Sequence, residues 1–433
     1  MKRLLLLLVL LSVASWAAEP WRVASTQIDA VYPHVETLYF DLHRNPELSY
    51  HEEKTAAKIA DQLRKLGYEV TTGVGGTGVV GVFKNGSGPV VMLRAELDAL
   101  PVQEKTGLDY ASHATTHDDR GVEVPVMHAC GHDLHMAIGM GTAELLVQNR
   151  DRWRGTFIYV GQPAEERIGG ARAMMKDGLF NRFPKPDFVF AVHDTNKLAA
   201  GQIGYTSGFS AANSDSVDVT IYGVGGHGAR PQSTVDPIVI AARTILAWQT
   251  IVARENDPHD PAVITVGSIH GGTKHNIIPD EVQMQLTVRS YKDEVRNHLI
   301  SAIERIAVAE AEAAGAPKKP VVRVTESVGA LYNDPQLTVR IVDRLKRVLG
   351  DTNLIAEEPI MGSDDFAEYR SAGIPSLMLG LGSANPREFA EAKKNGKELP
   401  SNHSPYFAPD REPSLKTGIE VEMAAILELM GKP

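Results

Sequence analysis

The densest run of chemically competent side chains is Met127-His128-Ala129-Cys130-Gly131-His132-Asp133-Leu134-His135, where an apolar approach ends and a helix begins. A thiolate and an imidazole two positions apart can face one cation if the backbone turns tightly, and Gly131 between them permits that turn. The plain alternative is a free cysteine packed in the core beside surface histidines. A second cluster, Gln162-Pro163-Ala164-Glu165-Glu166, closes a strand-like run and places adjacent carboxylates at the carboxyl edge of a sheet, where α/β proteins build sites. Neighbours at a strand end point in different directions, so one carboxylate can hold a metal while the other handles protons. An exposed acidic turn would read the same way. His193 ends the apolar run Phe190-Ala191-Val192, and His403 lies in Ser401-Asn402-His403-Ser404-Pro405; a single histidine is often incidental.

The elements that must position these residues alternate. Helices are expected over Thr26 to Arg44 and Glu52 to Leu66, the second with Ala56, Ile59, Leu63 and Leu66 on one face and Gly67 as its stop. Strands are expected at Gly78 to Phe83 and Pro89 to Leu97, joined by the turn residues Asn85-Gly86-Ser87-Gly88, and then at Gly155 to Gly161 and Asp187 to Val192. Helical stretches at Gly131 to Gln148 and Gly169 to Leu179 lie between them, which indicates a mostly parallel α/β core. From Asp215 the rhythm becomes strand Ser216 to Tyr222, helix Asp236 to Ala253, strands Ala262 to Ile269 and Glu281 to Arg289, helix Asp293 to Ala314, strand Val321 to Glu326. This βαββαβ order fits one sheet with two helices on one face, as in ferredoxin-like units. Helix Gln336 to Leu349, strand Ser376 to Gly380 and a helix from Ser414 resume the first pattern. The expected division is residues 18–212 and 330–433 for a metal-binding catalytic domain and 213–329 for an inserted one, with crossings near Gly204 to Ala212 and Gly329 to Pro335.

The 433 residues are 43 % hydrophobic and 23 % charged, a composition that can bury a full core and excludes disorder as the main character. A net charge of −10 argues against nucleic acid, which demands clustered cations. Lys2 and Arg3 precede an apolar run from Leu4 to Val13, and Ser15 and Ala17 supply the small residues of a cleavage site. A cleavable signal peptide over residues 1–17 is therefore expected, with the mature protein periplasmic or secreted and not membrane-bound. The apolar run is shorter than the roughly 20 residues that span a bilayer. Cys130 is the one cysteine, so an exported protein would be using it for something other than an internal disulfide.

Several longer strings, Arg94-Ala95-Glu96-Leu97-Asp98-Ala99-Leu100-Pro101, the Cys130 cluster, Gln162 to Glu166, Gly225-Gly226-His227-Gly228, Gly271-Gly272-Thr273 with Asn276-Ile277-Ile278-Pro279, and Met361-Gly362-Ser363-Asp364-Asp365-Phe366, run in order over nearly the whole chain. With His403 they resemble the M20 family of metallopeptidases and amidohydrolases, in the branch of aminoacylases, hippurate hydrolases and auxin-conjugate hydrolases. The resemblance implies a zinc-peptidase-like catalytic domain and an inserted lid and dimerisation domain. It implies Cys130, His132, Glu166, His193 and His403 as ligands of two divalent metal ions per subunit, with zinc first and manganese or cobalt as alternatives. It implies Glu165 as general base, Asp98 as the residue that orients His132, and His227 as the donor to the tetrahedral oxyanion, often from the partner subunit. Asn276 and Arg289 are candidates for substrate polar groups, with a structural pairing of Arg289 to a neighbouring strand as the alternative.

This chain departs from the family pattern at Glu96, where aspartate is typical, and at Arg167, where a small residue is common. Glu96 is left out of the ligand set, and Arg167 either favours acidic substrates or faces solvent. The expected function is an exported dinuclear amidohydrolase acting on N-acyl amino acids or related small amides, as a homodimer. A metallo-carboxypeptidase or dipeptidase of the same family is the nearest alternative. A non-catalytic binding protein and a cysteine hydrolase with a Cys130–His132 or Cys130–His135 dyad are the competitors from other classes.

Overall fold

The structure is a computed structural model that describes residues 22–432; the expected signal peptide lies outside the described residues. Eight strands form the main sheet, in the order Glu69–Val74, Gly78–Asn85, Gly155–Gln162, Val90–Glu96, Phe188–Ala199, Ser376–Ala384, Ile203–Tyr205 and Leu354–Ala356. The central strands from Gly155–Gln162 to Ser376–Ala384 are parallel, and antiparallel pairings flank them. Val90–Glu96 is buried without alternation because both of its faces are covered. Val91 and Leu93 join the core under helices His132–Gln148, Arg411–Met430 and Ser25–Arg44, whereas Met92 packs on the other side with Ala171, Met174 and Tyr369.

Register sets up the site. Glu96 pairs with Gln162, and Gly380 with His193, so the chain leaves the sheet at one edge next to Asp98, Glu165 and His193. Helix His132–Gln148 is buried on nearly every side, so its amino end is fixed where these strands finish.

Three local features differ from the expected pattern. Gly78–Asn85 and Val90–Glu96 follow one another in sequence but do not pair; Gly155–Gln162 lies between them. Residues 86–89 pass over the end of that strand, and Thr156 N–H donates to Pro89 O at 2.9 Å. A strand that is buried on both faces belongs in a sheet interior with parallel neighbours, not at a hairpin. The helix expected over Gly169 to Leu179 is two short ones, Gly170–Lys176 and Leu179–Arg182, divided at Gly178, whose φ of +86° ends the first. The strand expected to stop at Val192 continues to Ala199.

The second sheet runs Ala262–His270, Glu281–Ser290, Ser214–Tyr222, Val321–Val328, antiparallel throughout. Buried and less buried positions alternate along Ser214–Tyr222 and Glu281–Ser290, as in a sheet with one face on a core. Helices Pro237–Thr250 and Asp293–Ala313 cover that face, with Trp248 buried among Val219, Leu286 and Ile303. The two passages between the sheets pair with each other, Gly208–Ala211 against Leu331–Asn333. Among the described residues no helix is long and apolar enough to cross a membrane.

Candidate active site

Cys130 reaches the sheet edge through a strained turn. Gly131 has φ +80°, and a Cβ there would lie 2.2 Å from Asp194 Oδ1, so no other residue fits without displacing Asp194. The turn brings one ligand atom each from Cys130, His132 and Glu166 within 4.8 Å of one another. His193 Nε2 stands 3.6 Å from Cys130 Sγ. His403 Nε2 lies 3.3 Å from Glu166 Oε1. Five residues from four separate stretches of chain thus meet at one point.

Each is held from behind. His132 Nδ1 is 2.8 Å from the Asp98 carbonyl oxygen, which accepts a hydrogen bond from that nitrogen and so directs Nε2 into the cluster. The Asp98 carboxylate accepts from Ser49 Oγ at 2.6 Å and from the Glu166 backbone N–H at 3.0 Å, so one residue orients two ligands. His193 Nδ1 is 2.9 Å from Asp194 O. His403 sits at φ +70°, and its N–H donates to Ala129 O at 2.7 Å; the Asn402 side-chain amide also donates to Cys130 O at 3.3 Å. The Glu165–Arg167 turn is bracketed by Ala164 at φ +48° and Ile168 at +50°, a left-handed geometry unusual for residues with side chains. The Glu52 carboxylate steadies it by accepting from Ala164 N–H at 2.7 Å.

The donor chemistry fits divalent cations. Among the described residues His132 Nε2, buried, has no hydrogen-bond partner, and a neutral imidazole nitrogen in that position offers the lone pair a metal takes. Burial would lower the His132 pKa, but the charges of Glu96, Asp98 and Glu166 outweigh it and push the imidazole up to about 10. Burial and the carboxylates of Glu166 and Glu165 push the Cys130 thiol well up. Burial and His135 lower His193, which favours its neutral form. This pocket of negative charge is one that a cation would neutralise.

Glu165 lies on the other side of the turn. Its Oε2 is 3.9 Å from His132 Nε2, and it clusters with Asp364 and Asp365. Burial, Asp364 and Glu166 hold its carboxyl well above the usual range, the kind of perturbation found where a carboxyl handles protons. Beneath it Arg94, fully buried, donates to Asp364 at 2.8 Å, Asp365 at 3.1 Å, Gln162 at 3.0 Å, and Glu96. His135 bridges Glu96 Oε2 at 2.9 Å and Asp194 Oδ1 at 3.2 Å.

Several roles were not legible in sequence. Arg94, Asp364 and Asp365 stood inside matched strings without a function, although a buried arginine in an apolar strand is itself a signal. Glu96 lies near His132, His135 and His193, but its oxygens are engaged by Arg94 and His135. The Cys130–His135 dyad does not form, because both His135 nitrogens are taken by carboxylates; His132 Nδ1 is likewise turned to Asp98. A thiol pushed up by burial is also a poor nucleophile. Arg167 faces Asp119 at 3.0 Å.

The inserted domain's candidates are placed differently. His227 is exposed on the strand Gly226–His227, paired with Ile277–Ile278, and Asn276 O accepts from Gly228 N–H at 2.9 Å. These two are neighbours on one exposed ribbon, away from the cysteine cluster's contacts. Arg289 is half-buried and bonds Met361 O at 3.3 Å, Ser363 Oγ at 3.1 Å and Thr287 Oγ1 at 3.0 Å, tying the inserted sheet to the loop that carries Asp364.

A mostly parallel sheet whose carboxyl edge gathers a thiol, imidazoles and carboxylates beside a buried proton-handling glutamate defines a metal-dependent hydrolase of carbon–nitrogen bonds. The chain belongs to peptidase family M20/M25/M40, which it matches over residues 92–428. It is 38 % identical over 87 % of its length, and 90 % of the relative's, to thermostable carboxypeptidase 2 of Saccharolobus solfataricus. It is 36 % identical over 77 % of its length, and 84 % of the relative's, to hippurate hydrolase of Campylobacter jejuni. The fold matches the solved YXEP protein of Bacillus subtilis, a dinuclear metal-binding peptidase, with TM-score 0.74, 30 % identity, and 92 % and 99 % of the two chains covered.

Proposed function

We propose that the protein is an exported, dinuclear metal-dependent amidohydrolase that cleaves the amide of N-acyl amino acids or related small amides. The observation that carries this reading is the pairing of Glu165 with Glu166: adjacent in the chain, one within the ligand cluster and the other buried beside it with a raised proton affinity. Cys130, His132, Glu166, His193 and His403 would hold two divalent cations, zinc first and manganese or cobalt next, which when bound acidify water and polarise the scissile carbonyl. Glu165 accepts the water's proton and returns it to the leaving amine, while Arg94 and the Asp364–Asp365 pair fix the turn on which it sits. Arg94 thus positions the base without touching substrate. His227 would supply an oxyanion donor, with Asn276 and Arg289 assisting substrate carboxylates.

A homodimer through the inserted domain belongs to the same reading. Leu246 on helix Pro237–Thr250 is 71 % exposed, and Ile269 on the adjoining edge strand Ala262–His270 is 49 % exposed, an apolar face suited to a second copy. Export to the periplasm or medium rests on residues 1–17.

A second reading, metallo-carboxypeptidase or dipeptidase, is favoured by the relative named a carboxypeptidase at 38 % identity. The deciding experiment measures metal content of the purified protein and its hydrolysis of N-acetyl and N-benzoyl amino acids and of dipeptides, before and after chelation and metal return. Two metals per chain, with activity on N-acyl amino acids lost on stripping and regained on return, is the expected result. Faster turnover of dipeptides would move the assignment to the peptidase reading. A protein that neither binds metal nor cleaves any substrate would end both.

A further inference from the structure

Beside Glu166 lies a cavity of about 650 Å³, lined by Glu166 and Arg167 but not by Glu165, that the roles assigned above do not use. Its inner wall is mostly apolar, built from Leu48, Ala99, Leu100 and Pro101, with Ser49, whose hydroxyl is spent on Asp98, beside them. Its outer wall is the hairpin of strands Thr115–His117 and Glu123–Pro125, which contributes Val124 and, at its turn, Asp118, Asp119 and Arg120. His51 and Arg167 stand across the mouth.

We infer that this cavity is the acyl-side subsite and that the Asp119–Arg167 pair sets it for an uncharged acyl group. The inference rests on the amide-hydrolase reading. Glu165 clusters with Asp364, one residue from Ser363, which Arg289 of the inserted sheet holds at 3.1 Å. The amine that receives the Glu165 proton, and the amino acid attached to it, therefore lie toward the inserted domain. A carbonyl centred on the ligand cluster then directs its other substituent past Glu166, into the cavity. There is room for a ring or a medium alkyl chain.

The charges at the mouth cancel in pairs. Arg167 is 3.0 Å from Asp119 Oδ2, and Asp119 Oδ1 is also 3.4 Å from His51 Nε2. Arg120 Nη2 folds back on Asp118 Oδ2 at 2.6 Å. Neither guanidinium is left unpaired for a carboxylate on the acyl chain, although Arg167 adjoins a ligand residue in sequence. An apolar, neutral acyl group gains burial there, and an acidic one would have to break the Arg167 pair first.

The test uses one amino acid carrying N-acetyl, N-hexanoyl, N-butanoyl or N-succinyl groups on the metal-loaded enzyme. The wild type should prefer hexanoyl to acetyl by about tenfold or more in kcat/KM, the scale of several methylenes in an apolar pocket. Val124→Trp and His51→Trp fill the cavity from opposite walls. Each should cut the hexanoyl-to-acetyl ratio by about tenfold while leaving acetyl turnover within about twofold, which also shows that the variant folds. Asp119→Asn should raise the succinyl-to-butanoyl ratio about fivefold, the reach of an exposed charge pair. Unchanged chain-length ratios in both tryptophan variants on an active enzyme would overturn the subsite alone. An unchanged succinyl ratio in Asp119→Asn would overturn the charge filter. A wild type that cleaves no N-acyl amino acid at all overturns this inference together with the reading on which it rests.

Discussion

The two halves of the site are built on opposite plans. At the sheet edge, His132 and Glu165 are almost wholly buried; Asp98 holds His132 through its carbonyl oxygen and the Glu166 backbone through its carboxylate, while Arg94 and His135 tie the surrounding carboxylates together. On the inserted domain, His227 and Asn276 lie exposed on a short two-stranded ribbon, and the His227 side chain accepts from the Ala229 N–H at 3.0 Å. The contrast teaches that the buried cluster is preorganised inside one chain, whereas the groups proposed to recognise substrate are left open to solvent. A buried charge network is costly to leave partly satisfied, so it is completed locally; an exposed histidine carries no such constraint.

The sharpest way to break this contrast is at Glu165. Glu165→Gln keeps size and loses the proton acceptor, and kcat should fall by about a thousandfold or more with metal content unchanged. A fall in metal content to match would make Glu165 a ligand and erase the division of labour between it and Glu166. On the exposed half, His227→Ala should lower kcat by about a hundredfold while thermal stability stays the same. Mixing Glu165→Gln and His227→Ala subunits sharpens the comparison further: regained activity in the mixture would place His227 in the partner's site, and none would place it in its own.

A smaller effect is expected behind the ligands. Asp98→Asn removes the charge that orients His132 and the Glu166 backbone, and metal affinity should drop by about 10- to 100-fold with activity regained at high metal concentration. The mildest handle is pH. In the metal-free protein the His132 pKa lies at about 10, raised above its ordinary 6.5, so a proton occupies the nitrogen at neutral pH and must leave when a cation binds. Apparent metal affinity should therefore rise with pH, by at least about tenfold per unit between pH 6 and 8, because the Cys130 thiol, also pushed up, gives up its proton as well. A flat profile would show that the buried cluster is less negative than its carboxylates make it. The same raised pKa stabilises the metal-free fold below pH 6.5 and loses that contribution as pH climbs toward 10, so metal-free protein should melt lower at pH 9 than at pH 6.

Composition, the run of motifs and the two periodicities together specified a good deal. A mostly parallel sheet and a separate βαββαβ unit follow from residue types and local spacing, because period and turn chemistry are properties of short stretches, whereas the ligand set of thiol, imidazoles and carboxylates was implied by the resemblance of the ordered motifs to a known family. The placement of Cys130 against His403 does not follow, since 272 residues separate Cys130 from its contact Asn402 and only the packed sheet closes that distance. Nor did sequence reveal that Gly155–Gln162 separates two successive strands, that His135 is spoken for by Glu96 and Asp194, or that Arg167 is paired with a hairpin residue. Residue types determine which chemistry is available, because ligand and proton affinities are intrinsic to side chains. Which groups meet, which are neutralised and which remain free was decided only by tertiary structure, because register, burial and field are set by residues far apart in the chain.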